Sequence, residues 1–438
     1  MILSAIGLIG GLTLLIVLTM RGMNLLIAAP LSTLWLAVFS GIPLFPQLVE
    51  ADQASMLDSY MTSFSGFVAS WFIMFLLGSI FGKVMGDARA ADSVSKWVVD
   101  KLGVKYAVAA VVAACAILTY GGVSLFIVGF SVFPLALSLF KQANLPRRFI
   151  PATLAFGSVT FTMTSAGSPE IQNWIPIEFL GTTAYAAWEV SLIVAIFMII
   201  FGYWLLKHLI NRAVAKGEQF EVREGDPVAE EKELPNPLLS AVPLLVVLGV
   251  SFIFHDTLGT SALIIALTGG IIATWALNHK YLPNVWVSAS NGTMGALLAI
   301  TNTAAVVGFG GVARETQAFN AAVSAVTDMP GSPLIGGAIA IGVIAGLTGS
   351  SSGGQQIALP LVSPHYIDMG VDPEALHRVA AISSGALDTL PHGGYVVTTI
   401  RAICGETHKD AYAPFAAVTV IVPILGVILA IALFSLGM

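Results

Sequence analysis

The stretch GALDTLPHGG, residues 385–394, sets an aspartate and a histidine inside a run of apolar residues. Pro391 lacks a backbone donor and frees the carbonyl of Leu387, so a helix starting near Pro373 is expected to end near Asp388 and resume beyond Gly394. The unwound segment then exposes backbone groups together with Asp388, Thr389, His392 and Gly393. Asp388 reads either as a capping carboxylate or as a group that gains and loses a proton, and His392 either as a structural ring holding the Leu387 carbonyl or as a titrating partner. Depth in a membrane favours function for an ionisable side chain.

The rest of the chain shows why depth is at issue. Of 438 residues, 56% are hydrophobic and 10% charged, with a mean hydropathy of +0.88, against roughly a quarter charged in soluble domains. The expected class is an all-α polytopic membrane protein. Cys115 and Cys404, far apart in apolar surroundings, suggest neither a disulfide framework nor a metal cluster. The net charge of −6 adds little, because much of the acid excess sits in one linker and the outer loops. No cofactor and no nucleic-acid partner is expected. The first apolar stretch, Leu3 to Met20, has no basic leader or small-residue cleavage site and is expected to be a retained span.

Runs able to cross about 30 Å of hydrocarbon fall near 3–20, 24–41, 67–84, 186–206, 237–254, 261–277, 292–313 and 411–436. Between them, 104–183 and 332–405 are apolar but interrupted by Gly and Ser, which suits backbone buried in protein or lining a cavity. Basic residues in short loops set orientation. Arg21, then Lys83, Arg89, Lys96, Lys101 and Lys105, then Lys141, Arg147 and Arg148, then Lys207, Arg212 and Lys216 mark cytoplasmic ends. Loops 42–66 and 166–183 carry Glu50, Asp52, Asp58, Glu170 and Glu178 without Lys or Arg and are expected outside, as are both termini.

Alternation then requires a re-entrant helical hairpin at about 104–140 and a broken helix at about 149–183 in a first repeat, residues 1–210. A charged, proline-containing cytoplasmic linker follows at 211–236, expected to have no fold of its own. The second repeat, 237–438, has its hairpin at about 332–366 and its broken helix at about 375–403. Each repeat counts five spans and one hairpin, so the second is inverted relative to the first. Gly121–Gly122 matches Gly353–Gly354 at an offset of 232, and GSVTFTMTSAG from Gly157 matches GALDTLPHGGY from Gly385 at an offset of 228. Paired interruptions in two inverted halves point to a transporter's binding site near the midplane.

Candidate contacts follow from this geometry. The first hairpin tip offers Thr119, Gly121, Gly122 and Ser124, and the first break offers Thr160, Thr162 and Thr164 with Ser158, Ser165 and Ser168. The second tip offers Thr348, Ser350, Ser351, Ser352, Gly353, Gly354 and Gln355. By the 228 offset Thr160 opposes Asp388 and Thr164 opposes His392, so charge-bearing positions occur in one repeat only. A helix starting at a tip presents free N–H groups that suit a carboxylate. No Arg or Lys lies at a tip or within a break, and Arg378 and Arg401 fall near the ends of the broken span, which favours a small monoanion. Asn302 reads as a packing group. Glu170, Gln172 and Asn173 fit a solvated outer loop, and His208, His255, His279, His365, His377 and His408 lie near span ends.

The run ALHRVAAISSGALDTLPHGGYVVTTIRAICGETHKDAY (375–412), preceded by SSSGGQQIALPLV (350–362), resembles the gluconate permease family of the ion transporter superfamily, most closely its D-3-hydroxybutyrate permease branch. The resemblance implies a homodimeric secondary transporter in a bacterial inner membrane, with a dimerising scaffold and a moving, elevator-type transport domain. It carries Ser351, Gly353, Gly354, Asp388, His392 and Gly393 over as functional. Gluconate permeases have a Pro-rich, His-containing stretch where this chain has TFTMTSAGSP (160–169), which moves the implied substrate from a sugar acid toward a shorter hydroxy acid. The leading expectation is symport of a 3-hydroxybutyrate-like anion with a proton, through Asp388 and His392. Sodium coupling, a passive channel and an intramembrane hydrolase pairing Ser351 with His392 are the alternatives, and the duplication argues against the last two.

Overall fold

The computed structural model describes residues 1–48, 54–223, 233–282, 284–327 and 332–438, and every element among them is helical. Glu50 and Asp52, two acids expected in an outer loop, lie outside the described residues. Among the described residues eight helices are long and apolar enough to cross a membrane, nine if one bent pair counts as a span.

One order of elements occurs twice. Two apolar helices (Ile2–Met20, Leu25–Ser40) lead to a very long helix (Met56–Asp87), a short one (Ala90–Leu102), a hairpin (Ala107–Tyr120, Leu125–Gln142), a broken helix (Ile150–Ala155 continuing as a π-helix to Thr160, then Ile175–Leu180) and an exit helix (Trp188–Ala215). The second half repeats this as Pro237–Leu258, Ser261–Asn278, Val285–Arg314, Gln317–Thr327, the hairpin Pro333–Thr348 and Ser351–Asp368, the broken helix Pro373–Leu387 resuming over Gly394–Val397 and Thr398–Ile403, and an exit helix from His408 to Ser435.

The two long helices, of 32 and 30 residues, run about 48 and 45 Å at 1.5 Å per residue, well beyond the hydrocarbon thickness. They lie against each other where one lacks side chains: a Cβ on Gly292 would sit 2.7 Å from Ile80 Cα, and one on Gly308 2.8 Å from the Tyr60 ring. Ser79 Oγ donates to Gly292 O at 2.8 Å across the same seam. Small residues that let backbones close up are the usual source of helix association where lipid competes for apolar contact.

Three expectations need correction. The outer loop drawn at 42–66 closes by residue 55, because Ser55 caps the long helix, accepting from Asp58 N at 3.2 Å. The basic region 89–105 is not simply a loop: Ala90–Leu102 is a helix with Val94, Val98 and Val99 buried, bent 102° from the hairpin arm that follows. The connector 211–236 has structure at its start. Residues 211–215 finish the exit helix, and 217–223 are strapped to the body, with Arg148 forked onto Glu218 (2.6 and 2.9 Å), Phe220 N donating to Asn144 Oδ1 (3.2 Å) and Arg223 bound to Gly405 O (2.7 Å) and Glu406 (3.0 Å).

Candidate functional site

The second broken helix begins on a capped turn, with Asp372 accepting from Glu374 N at 3.1 Å and Pro373 at the first helical position. It ends at Leu387, since Pro391 cannot continue the ladder. Two tight turns replace it: Leu390 N donates to Leu387 O (3.3 Å) and Gly393 N to Leu390 O (2.8 Å), after which helix resumes at Gly394.

The second hairpin tip docks onto this break. Gly349 holds φ at 61°, and a Cβ there would lie 3.1 Å from Gly393 Cα and from His392 Cδ2, so glycine is required on both counts. Ser350 then caps the second arm by accepting from Gly353 N at 3.2 Å. The backbone N–H groups of Ser351 and Thr389 face the half-buried Asp388 carboxylate, and backbone of Gly346 and Leu347 faces His392. Asp388 therefore stands at the start of an 18-residue helix, where dipole and free N–H groups favour negative charge. Asp388 Oδ1 and His392 Nε2 are buried without a protein partner. No ion pair reaches Asp388 among the described residues.

The first break is tied to the second by residues that sequence alone placed elsewhere. Arg378, fully buried, spends its fork on neutral oxygens: Thr164 O (2.7 Å), Asn173 Oδ1 (2.7 Å), Ala186 O (2.9 and 3.1 Å) and Ala184 O (3.4 Å). Asn173 in turn donates to Met163 O and Ser165 O at 3.0 and 2.8 Å, closing the unwound segment around the guanidinium. Gln355 donates to Gln172 O (3.1 Å), Ala380 O (3.4 Å) and Ser384 Oγ (2.9 Å), and Ser384 meets Ser351 Oγ at 2.7 Å. A Cβ on Gly385 would lie 2.9 Å from Thr164 Cγ2, so the breaks touch there. Gln172 and Asn173 are thus interior and not part of a solvated loop. Arg378 is a buried core of the site and not a span end. His377 is fully buried with Nδ1 2.6 Å from Thr182 Oγ1, and His408 Nε2 contacts Pro391 O at 3.0 Å.

The other expected contacts divide by what their polar atoms do. Thr160 donates to Val418 O (2.9 Å) and Thr389 to Thr419 O (3.1 Å), both carbonyls of the π-helical Ala417–Ile421 in the exit helix. Thr162 is bonded to Ser158 O and Gly157 O, Thr348 to Ala345 O and Ser350 O, and Ser352 lies 3.4 Å from Ser350. Thr119 Oγ1, Thr164 Oγ1, Gln172 Oε1 and Gln355 Oε1 are buried without a protein partner. At the first tip Gly121 and Gly122 pack on Leu244, Val247 and Pro169, Ser124 makes no side-chain cap bond, and Tyr120 Oη donates to Ala166 O at 2.5 Å. Each tip is set against the break of its own half.

Residues 1–273 match the sequence profile described as GntP family permease. The chain belongs to that family. This permease is 34% identical over 448 residues to the uncharacterized transporter YxjC of Bacillus subtilis (strain 168), covering 92% of each chain. It is 27% identical over 332 residues to an uncharacterized transporter of Haemophilus influenzae, covering 74% of this chain and 75% of that one. Two solved structures share its fold at 14% identity: the Alcanivorax borkumensis YdaH transporter (TM-score 0.55, covering 94% of this chain and 98% of that one) and Neisseria gonorrhoeae MtrF (TM-score 0.51, 98% and 95%). The family makes the protein a membrane transporter and not an enzyme. The permease's 350–362 and 375–412 stretches, which carry Asp388 and His392, lie beyond the profile match but within a chain aligned almost end to end with YxjC.

Proposed function

We propose that this permease moves a small hydroxy-monocarboxylate of the 3-hydroxybutyrate type together with a proton across a bacterial inner membrane. One observation carries the reading: Asp388, in the unwound segment of a broken helix and at the start of a hairpin helix, has a buried carboxylate oxygen and no ion-pair partner among the described residues. Backbone N–H groups and the helix dipole offset only part of this charge, and a carboxylate in a membrane-spanning break is neutralised by a bound proton or cation. His392, with an unpartnered ring nitrogen next to the same tip, is the second proton site. The substrate carboxylate takes the positive end of the Ser351–Asp368 helix, and the buried Arg378 supplies a fixed positive charge wired into the break, which fits one negative charge better than two or three. The hairpins and broken helices form the moving element of an elevator, and the long-helix pair belongs to the scaffold of a homodimer.

Proteoliposomes test this with labelled 3-hydroxybutyrate. An inward proton gradient in sodium-free buffer drives accumulation, and gluconate competes weakly. Accumulation that requires sodium and ignores the proton gradient would move Asp388, with its neighbouring hydroxyls and carbonyls, to a sodium site.

A further inference from the structure

A second set of polar atoms stands between the two broken helices, away from the hairpin tip that Asp388 faces. Ser158 lies in the π-helical part of the first broken helix, and Tyr395 and Thr399 lie in the resumed part of the second. Ser158 and Thr399 are fully buried, and the hydroxyls of Ser158, Tyr395 and Thr399 have no protein partner. The Tyr395 hydroxyl lies near those of Ser158 and Thr399, and the Cys115 thiol near Ser158, without any of these pairs reaching hydrogen-bond geometry. Cys115 comes from the first hairpin, where a Cβ added to Gly157 would lie 2.7 Å from its own Cβ. Rings close the sides: Phe126 of the first hairpin is edge-on to Tyr395 at 6.0 Å and Phe415 lies at 6.3 Å.

Each buried hydroxyl without a partner forfeits its hydration. Three that converge from both repeats describe a socket built for a small polar group. Tyr395 is three residues past His392, so this socket and the Asp388 cluster share the wall of one unwound segment. Both broken helices contribute, as a site that must be released on either side of the membrane requires. We propose that Ser158, Tyr395 and Thr399 form the subsite that takes the hydroxyl group of the hydroxy acid, with Cys115 in its wall. This rests on the hydroxy-acid reading above. A socket that spends three hydroxyls on one substrate hydroxyl discriminates against the deoxy analogue, since binding that analogue leaves the socket unpaired.

The test compares labelled 3-hydroxybutyrate with labelled butyrate in proteoliposomes of wild type, Ser158→Ala, Tyr395→Phe and Thr399→Val. The wild type prefers 3-hydroxybutyrate, and each variant lowers the ratio of the two kcat/KM values by about tenfold or more. Variants that fold and transport but keep the wild-type ratio overturn the subsite while leaving the hydroxy-acid reading in place. A wild type that carries neither acid overturns that reading, and the subsite is then decided by the Tm shift that each ligand gives in detergent. A larger shift with lactate, glycerate or gluconate than with propionate, lost in Ser158→Ala and Thr399→Val, supports it. Equal shifts with every hydroxy acid and with propionate overturn it.

Discussion

At the scale of single residues the two ionisable groups that matter most differ in how visible they are. Asp388 and His392 stand out in the sequence because Pro391 and three glycines surround them in an apolar run, and a charge beside a forced helix break in a membrane span has few innocent explanations. Arg378 is invisible in the same way: its oxygens belong to Thr164, Asn173, Ala184 and Ala186, about 200 residues earlier, and carbonyls leave no trace in composition. Its position did hold a clue, since five residues into a helix is about 7.5 Å from its start, deeper than a span end. Removing the guanidinium strands several buried carbonyls, each worth about 1–3 kcal/mol when unpaired. Arg378→Met is expected to lower the Tm in detergent by several degrees or prevent folding, and Arg378→Lys, which keeps charge but not the planar fork, to fall between it and the wild type. A Met variant as stable as the wild type would show that the two breaks are not joined through this side chain.

At the scale of elements, both hairpins and both broken helices can be read from paired Gly-Gly turns and polar breaks, because each marks backbone that lipid could not solvate. The short helix Ala90–Leu102 cannot, since only one of its faces is apolar and its lysines resemble a loop. Nor can the docking of 217–223, which depends on arginines elsewhere in the chain. The fork of hydrogen bonds and the charge of Arg148 hold the Glu218 carboxyl below the usual carboxylate range. A folded-state value below the unfolded one means that this pair stabilises the strap at pH above about 4.3 and that the contribution is lost as pH falls through the lower folded value. Both side chains are partly exposed, 31% and 37%, so the pair is worth at most about 1 kcal/mol. Hydrogen exchange over 217–223, taken relative to the intrinsic amide rate at each pH, is expected to be slow at neutral pH, faster once pH drops below the carboxylate range, and already faster at neutral pH in Glu218→Gln. Exchange that is the same in all three conditions would place the hold on the strap elsewhere.

At the scale of the whole molecule, the doubled order of elements follows from the sequence because breaks recur at offsets of 228 and 232. The length of the central helices does not, because Met56–Phe64 has the polarity of a loop and only Ser55 shows where the helix starts. The bonds from Arg378, Gln355, Thr160 and Thr389 stitch the second hairpin, both breaks and the exit helix together, which is what a body that moves as a unit requires. Movement of that body, with the first hairpin packed on its own break, past the long helix Met56–Asp87 is testable at Gly86, whose added Cβ would lie 3.5 Å from Ile127 Cγ2 on the first hairpin, so the two positions are in contact. Oxidation of the Gly86→Cys, Ile127→Cys pair is expected to stop counterflow, and reduction to restore it. Full cross-linking with counterflow intact would rule out sliding at that seam.

The coupling claim is tested most directly with a pH dye trapped in sodium-free proteoliposomes and 3-hydroxybutyrate added outside. Wild-type permease is expected to acidify the interior, whereas Asp388→Asn abolishes acidification but still exchanges labelled for unlabelled substrate, since a neutral side chain at that position binds substrate without carrying a proton. Acidification by the Asp388→Asn protein at the wild-type rate would contradict the account, because the proton would then be crossing without the carboxylate assigned to it.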